Sequence, residues 1–190
     1  LFDLIHVSTD SMSIKNLCAK LGHEPDFMRP SELADDQTPI LPVLRHVVTV
    51  LEEQGEIFDE VWMLMACAPL ITYKDLRNVA KYFTSAKLNY QKLIPIAEYP
   101  TPIEWALRRN DDDSVEPRFP SMLEERSQDL PKSYYDAGCF TTFCKEAIYE
   151  DIGSNNFIGY EIPKWKAIDI DTEDDWLFAE LLYGKYRMEC

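Results

Sequence analysis

The chain has 190 residues, enough for one domain with a buried core, and its 46% hydrophobic and 28% charged residues are ordinary for a globular protein. A net charge of -15 gives no overall basic surface, which argues against nucleic acid as a partner, and no run of apolar residues is long enough to predict a membrane-spanning helix. The five cysteines are scattered without a zinc or disulfide spacing, which favours reduced thiols and a cytoplasmic location.

The chain opens with a predicted strand, a polar loop and a helix. Residues 4–7 form a short apolar run, and a helix that closes at Gly22 follows, with apolar positions at Ile14, Leu17, Cys18 and Leu21. This order is typical of a parallel α/β fold, whose ligands bind at the carboxyl ends of the strands, where Ser8 and Asp10 stand. The alternative is that Asp10 or Ser11 only caps the helix.

Arg29 begins a loop rich in prolines and acids. It could pair with Asp35 or Asp36 as a structural clasp, or it could offer its planar guanidinium to a phosphate or a base edge. The sequence leaves both roles open. Thr38 is predicted to cap the next helix, with Pro39 as its first residue. That helix is expected to stop near Gly55 and to turn these residues inward: Val43, Leu44, Val47, Val48 and Leu51.

The middle of the chain continues the alternation of strands and helices. Residues 61–68 are almost continuously apolar, which predicts a central strand covered on both faces. Thr72 and Asp75 start an amphipathic helix, and residues 92–98 are the next predicted strand. The fold class that follows from this order is α/β, with a doubly wound, mostly parallel sheet.

Residues 103–133 break the rhythm with polar turns and prolines. At the end of this stretch, a polar loop from Arg126 to Ser133 leads into an aromatic strand at Tyr134, and a further strand is predicted over 157–162. Arginine, glutamine, tyrosine and aspartate together could bind a hydroxylated, amidated acid. The alternative is an insertion that packs against a dimer partner.

Residues 165–180 read as a short strand that turns into a helix. Alternation along the strand places Asp169 and Asp171 on one face and the neighbouring isoleucines on the other. Thr172 is the predicted N-cap, with Asp175 completing a variant capping box, and the helix is expected to pack through Trp176, Phe178, Ala179, Leu182 and Tyr183. Two carboxylates at this place suit a divalent cation bound together with phosphates. The alternative is that both are solvated turn acids, with Asp171 helping to cap.

Four stretches in this order resemble one family. They are Ser8-Thr9-Asp10, the Arg29-Pro30 loop through Asp36, the Arg126-Ser127-Gln128-Asp129-Leu130 segment with Tyr135-Asp136-Ala137-Gly138, and Asp169-Ile170-Asp171-Thr172 with Asp175-Trp176. The chain is similar over essentially its whole length to the nonulosonic acid cytidylyltransferases, which activate nine-carbon acidic sugars. The third stretch, with Arg126-Ser127-Gln128-Asp129-Leu130 and Tyr135-Asp136-Ala137-Gly138, is most like that of the branch that uses pseudaminate.

The resemblance implies a Rossmann-like nucleotide-diphospho-sugar transferase fold and a reaction in which CTP and the sugar acid give the CMP-sugar and pyrophosphate with Mg²⁺. It implies metal binding by Asp169 and Asp171, with Arg126 as a further catalytic residue that meets the sugar carboxylate. The residues it assigns to the nucleotide are Ser8, Asp10, Arg29 and Asp36. Those it assigns to the sugar are Gln128, Asp129, Tyr135 and Asp136.

The resemblance also implies a single domain over 1–190, with 103–163 as a sugar-binding and dimerisation insertion, and a homodimer. Family members begin with a strand and a phosphate-binding loop, so we expect this chain to be a fragment or an incompletely recorded gene, lacking roughly forty residues that include this loop. Met65 stands where relatives carry a tyrosine or a glutamine that helps to bind substrate. Alternatives therefore stay open: an inactive remnant of the fold, or the same reaction on N-acetylneuraminate or legionaminate.

Overall fold

The computed structural model describes residues 1–87, 89–150 and 157–186. The chain forms two compact units, Leu1–Met63 with Phe143–Asn155 and Leu64–Thr142 with Asn156–Cys190. The helices are α1 (Met12–Lys20), α2 (Ile40–Glu53), α3 (Tyr73–Ala86) and α4 (Glu173–Tyr186). The strands are β1 (Glu60–Leu64), β2 (Lys92–Glu98), β3 (Leu107–Arg109), β4 (Val115–Pro117), β5 (Tyr134–Asp136), β6 (Phe140–Cys144) and β7 (Phe157–Glu161).

The core of the first unit forms where α2 packs on the segment after β6. Val48, Phe143 and Ile148 are buried together, and the partly buried side chains around them are Leu41, Leu44, Phe58, Val61 and Met63. Arg45 fixes the two elements to each other, since its Nε donates to the carbonyl oxygen of Ile148 at 2.6 Å and its Nη2 donates to that of Glu150 at 3.1 Å. The inward face of α2 predicted from the sequence is confirmed at Val48 and two further buried positions.

The start of the first unit differs from the prediction in two places. Residues 4–7 are not a strand, because within the described residues no strand forms a ladder with them. An apolar run cannot supply such a partner by itself. Pro39, not Thr38, occupies the N-cap position of α2, since the Thr38 amide and hydroxyl donate to Asp35 and hold Thr38 in the preceding turn. The helix α1 is confirmed and ends before Gly22, which has φ of +83°.

The second unit is built around β2. This strand pairs parallel with β7, with Leu93 opposite Ile158, and antiparallel with β5, with Ala97 opposite Tyr135. The sheet is therefore mixed, and β6 is also hydrogen-bonded to β2. Leu93 and Ala97 have no exposed surface, which agrees with a central position. The sequence prediction of β2 is confirmed at both ends, and that of β7 within one residue.

Helix α3 begins with a capping box formed by the two residues predicted to start it, Thr72 and Asp75. The Thr72 side chain accepts from the amide of Asp75, and the Asp75 carboxylate accepts from the amide of Thr72 at 2.8 Å. The same carboxylate forms an ion pair with Lys166, and only 8% of the surface of Lys166 is exposed. Burial alone would raise the pKa of Asp75, but the hydrogen bonds from Lys166 and Thr72 outweigh it and hold the pKa below its usual value. The capping box thus also anchors the turn Lys164–Lys166.

Helix α4 buries less of its surface than the sequence predicts. Ala179 is buried, and Leu182 packs near Leu70 and Ile168 in the core of the second unit. The prediction that Trp176 and Phe178 pack against the core is wrong, because more than half of the surface of each residue is exposed. The helix is apolar around most of its circumference, so its pattern fits more than one buried face.

The predicted strand over 61–68 is also shorter in the structure. β1 ends at Leu64, which is 47% exposed, and the chain turns before Pro69. The insertion contains a hairpin of β3 and β4, in which Arg109 lies opposite Val115 and the turn places Asp113 at φ of +66°. In the described part of the chain, none of the helices has both the length and the apolar character needed to cross a membrane.

Candidate functional site

The two candidate metal ligands lie in an extended segment before α4. Residues 167–171 do not form a strand, but their side chains alternate between buried and exposed positions as predicted. Ile168 and Ile170 belong to the core of the second unit, whereas Asp169 and Asp171 are exposed. The amide of Ile170 donates to the carbonyl oxygen of Cys67 at 3.1 Å, which fixes the segment between the two acids.

The cap of α4 is formed by Thr172 and Asp175 and not by Asp171, since the Thr172 hydroxyl accepts from the amide of Asp175 at 3.2 Å. One Asp175 carboxylate oxygen accepts from the amides of Asp171 and Thr172, at 3.2 and 2.9 Å, and from the Thr172 hydroxyl at 2.7 Å. These hydrogen bonds, that of the Thr172 hydroxyl first, lower the pKa of Asp175. The predicted capping box is confirmed. The alternative, in which Asp171 helps to cap the helix, is wrong.

Asp169 lies against two cysteine-bearing loops that sequence reasoning did not connect with it. Burial, followed by the nearby Asp169 carboxylate, raises the pKa of Cys67 to about 11. Burial, followed by the charge of Asp169, raises the pKa of Cys139 to about 12. Both thiols are therefore protonated at neutral pH and are poor nucleophiles.

Gly138 approaches the same carboxylate from the other loop. A Cβ atom at this position would lie 3.3 Å from Asp169 Oδ2, and the glycine has φ of +65°. Its amide donates to the Asp136 side chain at 3.0 Å. The only sequence signal for this contact is the glycine that follows Asp136 and Ala137, and it does not name the residue approached.

The acids present fit a magnesium ion that is shared with phosphates. Among the residues that the structure describes, no group of three or more histidine, cysteine, aspartate or glutamate side chains could hold a metal. Mg²⁺ needs no such group, since it is commonly held by one or two carboxylates together with substrate phosphates and water. Asp169 and Asp171, exposed and on the same side of their segment, provide hard oxygen donors of this kind.

The four candidate nucleotide residues belong to the first unit, and two of them are joined. Arg29 Nε donates to Ser8 Oγ at 3.1 Å, and its Nη2 donates to the Ser8 carbonyl oxygen at 2.6 Å. Asp10 and Asp36 are exposed. Within the described residues, no ion pair links Arg29 to either acid of the loop, so the clasp suggested by the sequence has a different partner. The N-cap of α1 is Ser11, which leaves Asp10 outside the cap.

The candidate sugar residues belong to the second unit. Arg126 and Asp129 form an ion pair at 2.8 Å, with 70% and 46% of their side chains exposed, and Gln128 is also exposed. Tyr135 is half-buried, and its ring centre lies 5.1 Å from that of Tyr99.

A cationic cluster lies beside this segment. Lys132 and Lys164 both contact Glu98, at 2.8 and 3.4 Å. The hydrogen bond from Lys132 is the main cause that lowers the pKa of Glu98. Sequence reasoning missed Lys164, because nothing in the local pattern relates it to Glu98, sixty-six positions earlier.

Comparison with known proteins gives one clear group of relatives. No protein-family profile matches the chain. Pseudaminic acid cytidylyltransferase of Campylobacter jejuni serotype O:2 is 30% identical over 185 residues, which cover 96% of this chain and 79% of the relative. The CMP-N,N'-diacetyllegionaminic acid synthase of Legionella pneumophila is 22% identical over 94% of this chain and 77% of its own length.

A solved structure supports the fold. The CMP:2-keto-3-deoxy-manno-octonic acid synthetase complexed with CTP superimposes with a TM-score of 0.62 over 94% of this chain and 80% of that chain, at 12% identity. This likeness confirms the Rossmann-like α/β nucleotidyltransferase fold predicted from the sequence. The extent and identity of the match to the Campylobacter enzyme confirm the resemblance seen in the motifs. The chain belongs to the nonulosonic acid cytidylyltransferase family.

Proposed function

We propose that this protein transfers CMP from CTP to pseudaminate, a nine-carbon acidic sugar, and releases pyrophosphate in a reaction that requires Mg²⁺. The observation that carries the proposal is the pair of exposed acids Asp169 and Asp171 beside α4, in a member of a cytidylyltransferase family. Asp171 is available for this role because Thr172 and Asp175 cap the helix. The choice of sugar is supported by the 30% identity to a pseudaminic acid cytidylyltransferase.

In the proposed reaction, the anomeric hydroxyl of the sugar attacks the α-phosphorus of CTP. A bond from this oxygen to phosphorus forms, the bond from phosphorus to the pyrophosphate oxygen breaks, and the hydroxyl proton is released. Asp169 and Asp171 would hold Mg²⁺ against the phosphates. When bound, the ion neutralises their charge and aligns the leaving group. For a protein of net charge -15, such a cation also reduces the repulsion of an anionic substrate.

Arg29 is proposed to contact the nucleotide, and Ser8 is proposed to hold the Arg29 side chain in place. Its Nε and Nη2 already donate to Ser8, so the orientation of the guanidinium plane is set before ligand arrives. A guanidinium has five N–H donors, and the two used here leave others for a phosphate or a base edge. Asp10 and Asp36 are proposed to lie by the same nucleotide, and both are exposed as this role requires.

Arg126 is proposed to bind the carboxylate of the sugar acid. In the structure it pairs with Asp129, and both side chains are largely exposed. An exposed pair of this kind contributes about 0–1 kcal/mol, so a substrate carboxylate can replace Asp129 at little cost. Asp129 would then be released to accept hydrogen bonds from sugar hydroxyls, together with Gln128, Tyr135 and Asp136.

We further propose a cytoplasmic homodimer that uses the insertion. Several large apolar side chains between positions 103 and 123 are at least 36% exposed, and burying them in an interface would be favourable. These residues are Ile103, Trp105, Leu107, Val115, Phe119, Met122 and Leu123. The five cysteines are scattered without a disulfide spacing, which supports reduced thiols and this location.

The proposed function is tested by pyrophosphate release from CTP with three sugar acids: pseudaminate, N-acetylneuraminate and legionaminate. Pseudaminate should give the highest kcat/KM. Asp171→Asn should abolish Mg²⁺-dependent release, whereas Asp174→Asn, an exposed acid in the first turn of α4, should leave it unchanged. Turnover by Asp171→Asn close to that of the unmodified protein would contradict the metal assignment. A folded protein that is inactive with every acid would favour the inactive remnant, and a preference for another acid would correct the substrate.

A further inference from the structure

We propose that Glu98 is a positioning residue for the sugar acid, and that it holds the polar loop of residues 126–132 in place through an ion pair with Lys132. The proposal rests on the sugar-binding role that the proposed function gives to this loop. Glu98 is the last residue of β2 and belongs to the same compact unit as the loop. It acts on the sugar only through the residues of the loop.

Each oxygen of the Glu98 carboxylate accepts a hydrogen bond from a different lysine. Lys132 Nζ donates to Oε2 at 2.8 Å, and Lys164 Nζ donates to Oε1 at 3.4 Å. Only 26% of the Glu98 side chain is exposed, against 67% for Lys132 and 50% for Lys164. The carboxylate therefore lies closer to the body of the unit, and the two more exposed lysines reach it from separate segments.

The ion pair with Lys132 is the link between the polar loop and the rest of the unit. After the loop, the backbone is held by β2, since the amide of Tyr99 donates to the carbonyl oxygen of Ser133 at 2.9 Å. Residues 126–129 are exposed, so packing does not fix them. In the described part of the chain, the bond from Lys132 to Glu98 is the one hydrogen bond or ion pair that joins residues 126–132 to another segment. The position of the residues proposed to meet the sugar therefore depends on it.

Lys164 fixes the same carboxylate from its other side. Besides its bond to Glu98, it donates to the carbonyl oxygen of Tyr99 at 3.4 Å, which ties it to the end of β2. Lys164 begins the turn Lys164–Lys166, whose last residue pairs with Asp75 of α3. A carboxylate bonded through one oxygen can still rotate, whereas one bonded through both oxygens has a set plane. Lys132 thus meets an acceptor that is already oriented.

The expected consequence lies in sugar binding and not in stability. Ion pairs of exposed side chains contribute little to folding, because water screens the charges and long side chains lose freedom. The hydrogen bond from Lys132 is the main cause that lowers the pKa of Glu98, so the carboxylate is ionised at neutral pH. A misplacement of about 1 Å in groups that position a substrate can slow a reaction by about a hundredfold. Loss of the Glu98 charge should therefore weaken sugar binding in a protein that stays folded.

The test measures kcat and the KM values for pseudaminate and CTP by pyrophosphate release. Glu98→Gln keeps the size of the side chain and removes its charge, and it should raise the KM for pseudaminate about tenfold. The KM for CTP should not change, because the candidate nucleotide residues belong to the first unit. Lys132→Met should have the same effect as Glu98→Gln, and the double variant should show no further rise, since both changes break one ion pair.

Glu52→Gln is the matched control. Glu52 forms an ion pair with Lys145 at 2.9 Å, and 36% of its side chain is exposed, but both residues belong to the first unit. This variant should leave both KM values unchanged. Trypsin cleavage after Arg126, followed by mass spectrometry, reports on the loop without any turnover. Glu98→Gln should be cut there faster than the unmodified protein, whereas Glu52→Gln should not.

The outcomes separate this proposal from the one on which it rests. If Arg126→Ala leaves the KM for pseudaminate unchanged, the loop is not part of the sugar site, and the role of Glu98 fails with that assignment. If Arg126→Ala raises this KM and Glu98→Gln does not, the sugar assignment stands and the positioning role is overturned. Effects of Glu98→Gln and Lys132→Met that multiply in the double variant would also overturn it. If no sugar acid is turned over, equal rates of cleavage after Arg126 in Glu98→Gln and the unmodified protein overturn it.

Discussion

Replacement of Gly138 by alanine tests how closely the site is built around Asp169. Gly138 has φ of +65°, in the left-handed region, and its missing Cβ atom would lie 3.3 Å from Asp169 Oδ2. Gly138→Ala therefore makes two changes at once. It strains the backbone, and it places a methyl group against a candidate metal ligand.

The two effects have different sizes and different measurements. A non-glycine residue in the left-handed region costs about 1–2 kcal/mol, and for a chain of this length each kcal/mol lowers Tm by roughly 2–4 °C. The expected fall in Tm is thus about 2–8 °C. The contact with Oδ2 is tight enough that the carboxylate must move by a few tenths of an ångström. A displacement of this order at a metal ligand is expected to reduce pyrophosphate release by about tenfold.

Gly55→Ala is the matched control. Gly55 has φ of +93°, but no atom lies within 4 Å of the position of its Cβ. Both variants should lose stability, whereas only Gly138→Ala should need more Mg²⁺ and release pyrophosphate more slowly at a temperature where both are folded. Equal activity of the two variants would refute the argument that Gly138 makes room for the Asp169 carboxylate.

Two further substitutions test other parts of the site. Arg29→Ala should raise the Kd for CTP more than the KM for the sugar acid, measured by calorimetry and by pyrophosphate release; equal effects would mean that Arg29 only clasps Ser8. Asp75→Asn should lower the free energy of unfolding. Because the pKa of Asp75 is depressed in the folded state, its contribution is present above the unfolded value near 3.9 and is lost as pH falls below it. A constant difference between the proteins from pH 7 to pH 2, in denaturant titrations, would contradict this.

The sequence predicts best what depends on neighbouring residues. The capping boxes of α3 and α4 were readable because Thr72 and Thr172 are each followed three residues later by an acid, and a cap involves only that turn. The ends of β2 were readable because its apolar run is bounded by polar residues and prolines. The predicted alternation of Asp169 with buried isoleucines is present although the segment is not a strand. Extended backbone places successive side chains on opposite sides whether or not it is hydrogen-bonded to a neighbouring strand.

Contacts between distant positions were not predictable from the sequence. The sequence offered Arg29 two acids in its own loop, but the structure joins it to Ser8, twenty-one positions earlier. It contained no sign that Gly138 lies against Asp169, or that the backbone of Cys67 binds that of Ile170. Such contacts follow from how loops are placed by the fold, and residue types within a window do not encode that placement. The sequence also could not say which side of α4 is buried, because apolar residues lie on several sides.

The acids before α4 show how the structure narrows a choice that the sequence left open. A single carboxylate cannot serve fully both as a helix cap and as a metal ligand, because the cap already uses its oxygens as acceptors. The Asp175 oxygen already accepts three hydrogen bonds, two of them from backbone amides. One of these amides is that of Asp171, so Asp175 orders the backbone that carries the proposed ligand without using its carboxylate. Gly138 acts in the same sense on Asp169 by leaving room for its carboxylate, and the proposed pair of metal ligands is thus arranged by groups that bind no metal themselves.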